Sequence, residues 1–322
     1  MNVIEEERRL KIRKLDWLGY GACAMAGCLW GCGFFFGKLA LKEMGVGHMV
    51  LYRFCFAALG MLPVLLVGRI GRRGRESARW TRREIEVMLL STTLGIPIQF
   101  LLQFEGLKHT TVSHAALMVG TMPVLLALGA VIFAGERLDW VGWVALAGST
   151  VGVSLIVMGG SEASAAGGRP TLLGDMLVVL SLTLSLGWIL LNKSLLKTHS
   201  PLEVTAYSIF IGVVMLAGWV IAVDGLPPVR NVSLTAWLAL AGSGVLCTAA
   251  TTLLWNWGIH HVPASRAGVF LNIEPALGSI LGVELLGDRL GPFAWVGGGL
   301  ILAAAVTLTV RDHEASPEVL LE

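Results

Sequence analysis

Glu274 combines a charged side chain with an unusual backbone environment. It lies within a long apolar stretch and directly precedes Pro275. A charged residue inside a membrane span costs about 2.5–3.5 kcal/mol on insertion scales, so its presence needs a reason. Proline cannot donate a backbone hydrogen bond and leaves a carbonyl oxygen free one turn earlier. Glu274 is therefore predicted to bind a cationic substrate group or a coupling proton. The alternative is an ion pair with Arg266 on the same side of the helix.

Arg53 is a second charged residue within an apolar stretch. A guanidinium group offers five hydrogen-bond donors in a planar fork that matches carboxylate groups. One interpretation is therefore an anion contact in the outer half of a cavity. The sequence equally allows a side chain that reaches the outer surface of the membrane, or one that pairs with Glu105.

One stretch of the chain occurs twice. Residues 106–138 and 258–290 align without a gap. The second copy has the same residue type as the first at eight aligned positions: Gly106, His109, Ser113, Ala115, Pro123, Gly135, Arg137 and Leu138. Self-similarity at one long period indicates that the chain consists of two copies of one unit.

This duplication matches polar and aromatic side chains of one copy with those of the other. Gln99 and Gln103 lie one helical turn apart and are matched by Thr251 and Trp255. A second stripe comprises His114, Met118 and Met122, with equivalents Arg266, Phe270 and Glu274. Stripes at matching depths predict a central cavity lined by both copies. The alternative is that these side chains bond to neighbouring helices and contact no ligand.

Tryptophan residues add an aromatic surface to the predicted cavity. The cysteine and histidine patterns argue against disulfides and metal sites. Trp30, Trp188 and Trp255 fall within apolar stretches and could stack on a ring-bearing substrate. The five cysteines form no CxxC pair and are interpreted as reduced packing residues. Histidines of the predicted loops have no acidic or thiol residues beside them, so no metal site is predicted. The sequence shows no phosphate-binding P-loop, so neither a cofactor nor ATP-driven transport by this chain alone is predicted.

The elements that must position these residues are long apolar segments. The chain has 322 residues, 55% hydrophobic and 14% charged, with a mean hydropathy of +0.74. Soluble domains contain about 25% charged residues, so a soluble enzyme is not expected. About 20 apolar residues in a helix span a bilayer. Ten such spans are predicted: 17–37, 49–68, 86–105, 112–133, 140–158, 172–192, 203–223, 234–256, 263–286 and 292–310.

Loop charges and span number predict the orientation. Lysine and arginine are concentrated in residues 1–16 and in the loop Arg69–Arg83, so the positive-inside rule places both termini in the cytoplasm. A small and polar linker, 159–171, separates a first half, 17–158, from a second half, 172–311. Five spans in each half make the second half enter from the opposite side. The predicted fold class is an all-α membrane protein of ten transmembrane helices, built as two inverted five-helix repeats.

Short motifs follow a similar order in the two halves. The first half contains Trp30-Gly31 before Lys38, Arg53, Gly106, Ser113–Ala116, and Pro123 with Glu136-Arg137-Leu138. The second half contains Ser200-Pro201-Leu202-Glu203, Ala264–Ala267, Glu274-Pro275 and Asp288-Arg289-Leu290. With them, the chain resembles the EamA-type family of the drug/metabolite transporter superfamily over roughly residues 17–310. The second half departs from the family pattern at Ser185, at Tyr207, which replaces Arg53, and at Asp288. The resemblance implies ten helices, export or exchange of small metabolites, and alternating access.

The leading hypothesis is a secondary-active transporter of the inner membrane that exports a small polar metabolite such as an amino acid. Efflux of cationic or aromatic drugs is the alternative within transport, and a membrane-embedded sensor or enzyme is the alternative outside it. The expected partners are the lipid bilayer and a small-molecule substrate, with proton coupling left open, no nucleic acid, and a monomer or homodimer. The candidate cavity residues are Trp30, Arg53, Gln99, Gln103, His114, Met118, Trp188, Tyr207, Thr251, Trp255, Phe270 and Glu274.

Overall fold

A computed structural model shows a helical protein. It describes residues 3–71, 79–122, 124–125, 129, 140–158, 170–228, 232–261 and 268–314. Every regular element in these ranges is a helix. Six helical segments of this part of the chain are long and apolar enough to cross a membrane: Trp17–Ala40, Val46–Leu66, Arg82–Lys108, Leu172–Leu195, Pro201–Val223 and Leu234–His261. Two shorter apolar helices cover Trp140–Ile156 and Pro292–Ala304. The predicted fourth span, 112–133, lies partly outside the described residues.

The helices follow the same order in the two halves. The first half contains α1 (Val3–Ala40), α2 (Val46–Gly71), α3 (Arg82–Thr93), a π-helical segment (Leu94–Ile98), α4 (Gln99–Lys108), α5 (Val112–Val119) and α6 (Trp140–Met158). The second contains α7 (Leu172–Leu195), α8 (Pro201–Val223), α9 (Leu234–Gly244), a π-helical segment (Val245–Ala250), α10 (Thr251–His261), a 3-10 segment (Gly268–Asn272), α11 (Ile273–Leu286) and α12 (Pro292–Glu314). His260 and His261, predicted in a loop, belong to the last turn of α10.

Local sequence sets the helix ends. Thr81 forms a capping box with Glu84 at the start of α3, and Ser200 forms one with Glu203 at the start of α8. Each box satisfies backbone N–H groups that the first helical turn leaves without partners. Gly287, at φ 67°, ends α11 in the left-handed conformation that glycine adopts without a Cβ penalty. The acidic-Arg-Leu corner of the second half follows directly.

Both halves carry a π-helical segment at equivalent positions. In the first, Pro97 lies inside the segment, and its missing N–H breaks the regular ladder. In the second, two hydroxyls bond to carbonyl oxygens five residues earlier: Thr248 Oγ1 to Ser243 at 2.9 Å and Thr251 Oγ1 to Leu246 at 2.6 Å. These bonds satisfy carbonyl groups that the widened turn exposes. Single π-turns inside α-helices recur at functional sites.

A second pair of breaks lies at the end of α5 and at the start of α11. α5 ends at Val119, with Gly120 as its C-cap, and α11 starts only at Ile273, after the 3-10 segment. Within the predicted ninth span, 263–286, the described part thus begins as a 3-10 segment and becomes α-helical at Ile273. Residues 262–267 lie outside the described part of the chain. Glu274 consequently lies in the first turn of α11, where the helix dipole favours a negative charge.

Two glycine contacts join the halves in an equivalent way. A Cβ added at Gly106 would lie 2.8 Å from the carbonyl oxygen of Gly174, so α4 and α7 pack backbone to backbone. A Cβ added at Gly258 would meet Cys23 and the carbonyl oxygen of Gly19, so α10 packs in the same way on α1. Small residues permit this close approach in membrane bundles. The helices that carry the predicted polar stripes are thereby held across the two halves.

Candidate functional site

A cavity of about 920 Å³, its part open to solvent included, lies between the two halves. Most of its wall consists of residue pairs that the repeat alignment makes equivalent. The pairs are Trp30 and Ser185, Gly33 and Trp188, Phe34 and Ile189, Phe54 and Ser208, Gly95 and Cys247, Ile96 and Thr248, Phe100 and Thr252, Val119 and Leu271, and Met122 and Glu274. Both π-helical segments and both helix breaks therefore border the same space.

Arg53 is the principal cation of the cavity wall. The residue is only 2% exposed. Its Nε donates a hydrogen bond to Thr248 Oγ1 at 2.7 Å, and a terminal nitrogen donates to the Cys247 carbonyl at 3.2 Å. The guanidinium carbon lies 4.8 Å and 5.2 Å from the ring centroids of Phe100 and Phe104, within cation–π distance. These contacts bind an α2 side chain of the first half to the π-helical segment of the second.

The structure contradicts two of the three interpretations of Arg53. The side chain does not reach the outer surface, because it is buried at the cavity. It also does not pair with Glu105, whose carboxylate instead contacts Lys108 and His109. A guanidinium group has five donors, and two of them make the bonds given above. The remaining interpretation, contact with an anion in the cavity, agrees with this geometry.

Glu274 lines the same cavity from α11. The positive charge of Arg53 acts on its carboxylate. The alternative partner Arg266 lies outside the described residues. One cavity thus contains a cation from the first half and an acidic group from the second. Opposite charges in a small apolar space can orient a ligand that carries both signs.

Polar amides and indole rings complete the wall. Gln99 and Gln103, each 8% exposed, face the cavity from α4. Trp188 packs directly on Gly95 of the first π-helical segment, because any Cβ at Gly95 would overlap the indole. Trp30 also lines the cavity, and both indoles pack against one buried cluster that includes Trp255. Six of the twelve predicted cavity residues therefore lie together, namely Trp30, Arg53, Gln99, Gln103, Trp188 and Glu274.

The six other predicted residues lie elsewhere: His114, Met118, Tyr207, Thr251, Trp255 and Phe270. Thr251 is fully buried and bonds within its own helix. Trp255 lies one layer behind the wall, with its ring centroid 5.4 Å from that of Trp30. Phe270 packs at 6.0 Å on Tyr20. Regular helical periodicity predicted these side chains in the wall, whereas Thr251 and Trp255 follow a π-helical segment and Phe270 lies in a 3-10 segment.

Three of these six lie away from the cavity altogether. Met118 is completely buried in the main hydrophobic core. Tyr207, the equivalent of Arg53, is 42% exposed and packs edge-on against Trp80. His114 lies at the start of α5 beside Asp175. Tyr207 therefore replaces Arg53 in the alignment and does not replace it in space.

Sequence reasoning missed a group of lining residues around Arg53. They are Phe54, Phe100, Phe104, Ser208, Thr248 and Thr252. A signal for part of this group was present, since Gly95 and Pro97 interrupt an otherwise apolar helix. In the repeat alignment Gly95 and Pro97 correspond to Cys247 and Ala249, which lie in the π-helical segment of the second half. The phenylalanines gave no such signal, because aromatic residues in a membrane span are most often packing residues.

Comparison with known proteins agrees with this architecture. The sequence model of the EamA-like transporter family matches the chain twice, over residues 17–158 and 172–310. The chain belongs to the EamA-like transporter family. An "Uncharacterized transporter" of Archaeoglobus fulgidus is 24% identical to this EamA-like protein, over 90% of the present chain and 97% of the relative.

Two further likenesses extend over nearly the whole EamA-like chain. A protein of Streptantibioticus cattleyicolor named "Probable terminal-alkyne amino-acid exporter" is 26% identical, over 94% of this chain and 95% of its own. A solved crystal structure superimposes with a TM-score of 0.64 at 17% identity, covering 94% of this chain and 99% of that one. This second likeness shows the fold. Family and fold together establish a multi-pass membrane protein with a transport role.

Proposed function

We propose that this EamA-like protein is a secondary-active exporter of a small polar metabolite, with an amino acid as the leading substrate class. The observation that carries the proposal is that Arg53 and Glu274 line one cavity. An amino acid presents a carboxylate for the guanidinium group and an ammonium for the carboxylate. The surrounding phenylalanine and tryptophan rings provide an apolar surface for a side chain. The name of the Streptantibioticus relative points to the same substrate class.

Counterflow in proteoliposomes tests this pairing. Radiolabelled L-phenylalanine is a suitable probe because it carries both charges and a ring. We expect Arg53→Gln and Glu274→Gln each to reduce counterflow about tenfold or more, the loss expected for a hydrogen bond to a charged group. Tyr207→Phe is the matched control, because Tyr207 is equivalent to Arg53 and lies outside the cavity. Counterflow unchanged in both charge variants would contradict the proposal.

The proposed topology is ten helices in two inverted five-helix repeats, 17–158 and 172–311, in the inner membrane with both termini in the cytoplasm. In inverted repeats, the two halves present equivalent surfaces to opposite sides of the membrane, and this supports alternating access. A cysteine introduced at Ser164 should then react with an impermeant maleimide in intact cells. Reaction only after lysis would contradict this orientation. Comparison of extracellular metabolites with and without overproduction tests the direction of transport.

Efflux of cationic aromatic drugs is a second candidate function. Trp30 and Trp188 line the cavity that also contains Glu274, and aromatic rings with an acidic group suit such cations. Arg53 opposes this function, because its positive charge lies in the same cavity. Ethidium efflux from cells that produce the protein distinguishes the two. Efflux that needs Glu274 and improves in Arg53→Gln would favour the drug transporter.

A further inference from the structure

We propose that His114 and Asp175 form a proton-binding site at one end of the helix bundle, outside the cavity, and that this site couples protons to transport. The inference rests on the proposed transport function. It assigns the coupling to a histidine that the sequence alone placed in the cavity. Glu274 is then left for substrate.

The geometry of the pair carries the proposal. His114 on α5 and Asp175 on α7 approach to 3.7 Å between Nδ1 and Oδ2, and their side chains are 1% and 3% exposed. Neither ring nitrogen of His114 has a hydrogen-bond partner among the described residues. A buried polar group without a partner is costly. With a hydrogen on Nδ1 the ring can donate to the Asp175 carboxylate after a small movement, and the imidazolium form adds an ion pair to this bond.

A buried network surrounds the pair. Lys38 Nζ donates to the carbonyl oxygens of Leu107 and Thr110, at 2.8 and 2.7 Å. The Thr110 hydroxyl donates to the second oxygen of Asp175 at 2.7 Å. One carboxylate oxygen of Asp175 is therefore occupied by Thr110, and the other faces His114. The arrangement orients the carboxylate toward the imidazole.

Several charged groups lie at the same end of the bundle as this pair. The buried ones besides His114 and Asp175 are Lys38 and Asp288, and the charge of Asp288 acts on Lys38. The exposed or half-buried ones are Lys42, Glu43, His48, Glu105, Lys108, His109, Asp224, Glu284 and Arg289. Solvent screens these outer groups more than the buried pair.

The site is placed to act on the cavity wall. α5 starts beside His114 and leads to Val119 at the cavity, about 8 Å away at 1.5 Å per residue. α7 carries Asp175 and also the cavity residue Trp188. Proton binding draws α5 toward α7, and proton release frees it. The two helices that border the cavity thus change their relative position with the proton.

The second half holds the start of α5 from its other side. Asp288 Oδ2 accepts the backbone N–H of Ser113 at 2.8 Å, and the Ser113 hydroxyl donates to the Ser279 carbonyl at 3.2 Å. α5 is therefore fixed to α11 next to its variable contact with α7. A movement at His114 changes the distance between α7 and α11.

Transport with and without a proton gradient tests the proposal. The probe is radiolabelled L-phenylalanine in proteoliposomes, and the variant His114→Gln removes the proton site. We expect exchange without a gradient to stay within about threefold of wild type, and accumulation driven by a pH gradient to fall about tenfold, an ordinary coupling energy. His109→Gln is the matched control, because His109 lies at the same end and pairs with Glu105 at the surface. Gradient-driven accumulation retained in His114→Gln, or lost in equal proportion to exchange, would overturn the proposal.

A second measurement does not depend on the substrate. Spin labels at Leu173→Cys on α7 and Leu285→Cys on α11 occupy exposed positions, in a protein whose five native cysteines are replaced. We expect the distance between labels to differ between about pH 6 and about pH 8, on either side of the ordinary histidine range. The difference should vanish in His114→Gln and Asp175→Asn and persist in His109→Gln. A distance independent of pH, or a change that survives His114→Gln, would refute the site. If wild type fails to exchange phenylalanine while the distance change requires His114, the substrate proposal fails and the proton site stands.

Discussion

Arg53 and Tyr207 occupy equivalent positions in the two halves, and their surroundings differ completely. Arg53 is buried, bonded to the opposite half and stacked on phenylalanine rings. Tyr207 is 42% exposed and packs on Trp80. The backbone elements around them nevertheless correspond, including a π-helical segment in each half. The duplicated unit thus preserves the packing geometry, while the side chains that face the cavity have diverged.

The divergence follows a pattern along the cavity wall. At five equivalent pairs the first half contributes an apolar or aromatic residue and the second half a polar one: Trp30 and Ser185, Phe54 and Ser208, Ile96 and Thr248, Phe100 and Thr252, and Met122 and Glu274. Arg53 is an exception, because it is a charged residue of the first half. Its side chain donates a hydrogen bond to Thr248 of the second half. The hydroxyl groups of the described wall, those of Ser185, Ser208, Thr248 and Thr252, therefore all come from the second half.

The largest stability difference is expected at Gln103 and Trp255, which are equivalent in sequence and unlike in environment. Trp255 is a buried aromatic behind the wall, so Trp255→Ala should lower the free energy of unfolding by about 3–5 kcal/mol. Gln103 lines the cavity, so Gln103→Ala should reduce transport with little loss of stability. Thermal unfolding in detergent and proteoliposome counterflow measure the two effects. Equal stability losses would show that both residues are packing residues.

A smaller difference is expected at the two equivalent glycines, Gly106 and Gly258. A Cβ at Gly106 would meet backbone atoms of the opposite helix, which cannot rotate away, whereas at Gly258 the nearest atom is the Cys23 side chain. Gly106→Ala should destabilise by about 2–3 kcal/mol and Gly258→Ala by about 1 kcal/mol. The same thermal unfolding assay measures both. Gly218→Ala is the control, because an added Cβ there meets nothing within 4 Å.

The smallest effect is expected at Glu43, in the loop after α1. Ser233 donates to its carboxylate through the hydroxyl and through the backbone N–H at 2.7 Å, and these bonds lower the pKa of Glu43 below its ordinary 4.5. A lowered pKa gives stability that is present above the ordinary value and lost as pH falls through the folded value. Glu43→Gln should therefore slightly lower the melting temperature at about pH 7 and match wild type at low pH.

A related contact at the opposite end of the bundle extends this prediction. There Thr198, the equivalent of Glu43, donates to Glu84 at 2.7 Å, and this bond contributes to a lowered pKa of Glu84. Thr198→Val should therefore also lower the melting temperature at about pH 7 and lose its effect at low pH. A loss of melting temperature that persists at low pH in either variant would contradict the role of the two carboxylates.

The sequence predicted the helices because apolar runs of about 20 residues are a local signal, and it predicted the duplication because residue types repeat over a long period. Family membership, confirmed by the comparisons, followed from the same repeated motifs. Arg53 and Glu274 were predicted as cavity residues because a charged side chain is costly in a membrane, and Gln99 and Gln103 were predicted from the matching of the two copies. The rest depended on π-turns and on the break before Ile273, which rotate side chains relative to a regular helix. His114 shows this limit, since its helical stripe points to the cavity and its contacts lie with Asp175.

The central claim is that opposite charges from the two halves recognise the two ends of one ligand. Dissociation constants of three compounds for the purified protein test it most directly: L-phenylalanine, phenethylamine, which lacks the carboxylate, and 3-phenylpropionate, which lacks the ammonium. Wild type should prefer phenylalanine to both by about tenfold or more. Arg53→Gln should bind phenylalanine and phenethylamine alike, and Glu274→Gln should bind phenylalanine and 3-phenylpropionate alike. If each variant weakens all three compounds by the same factor, the two charges support the fold and do not recognise the ligand.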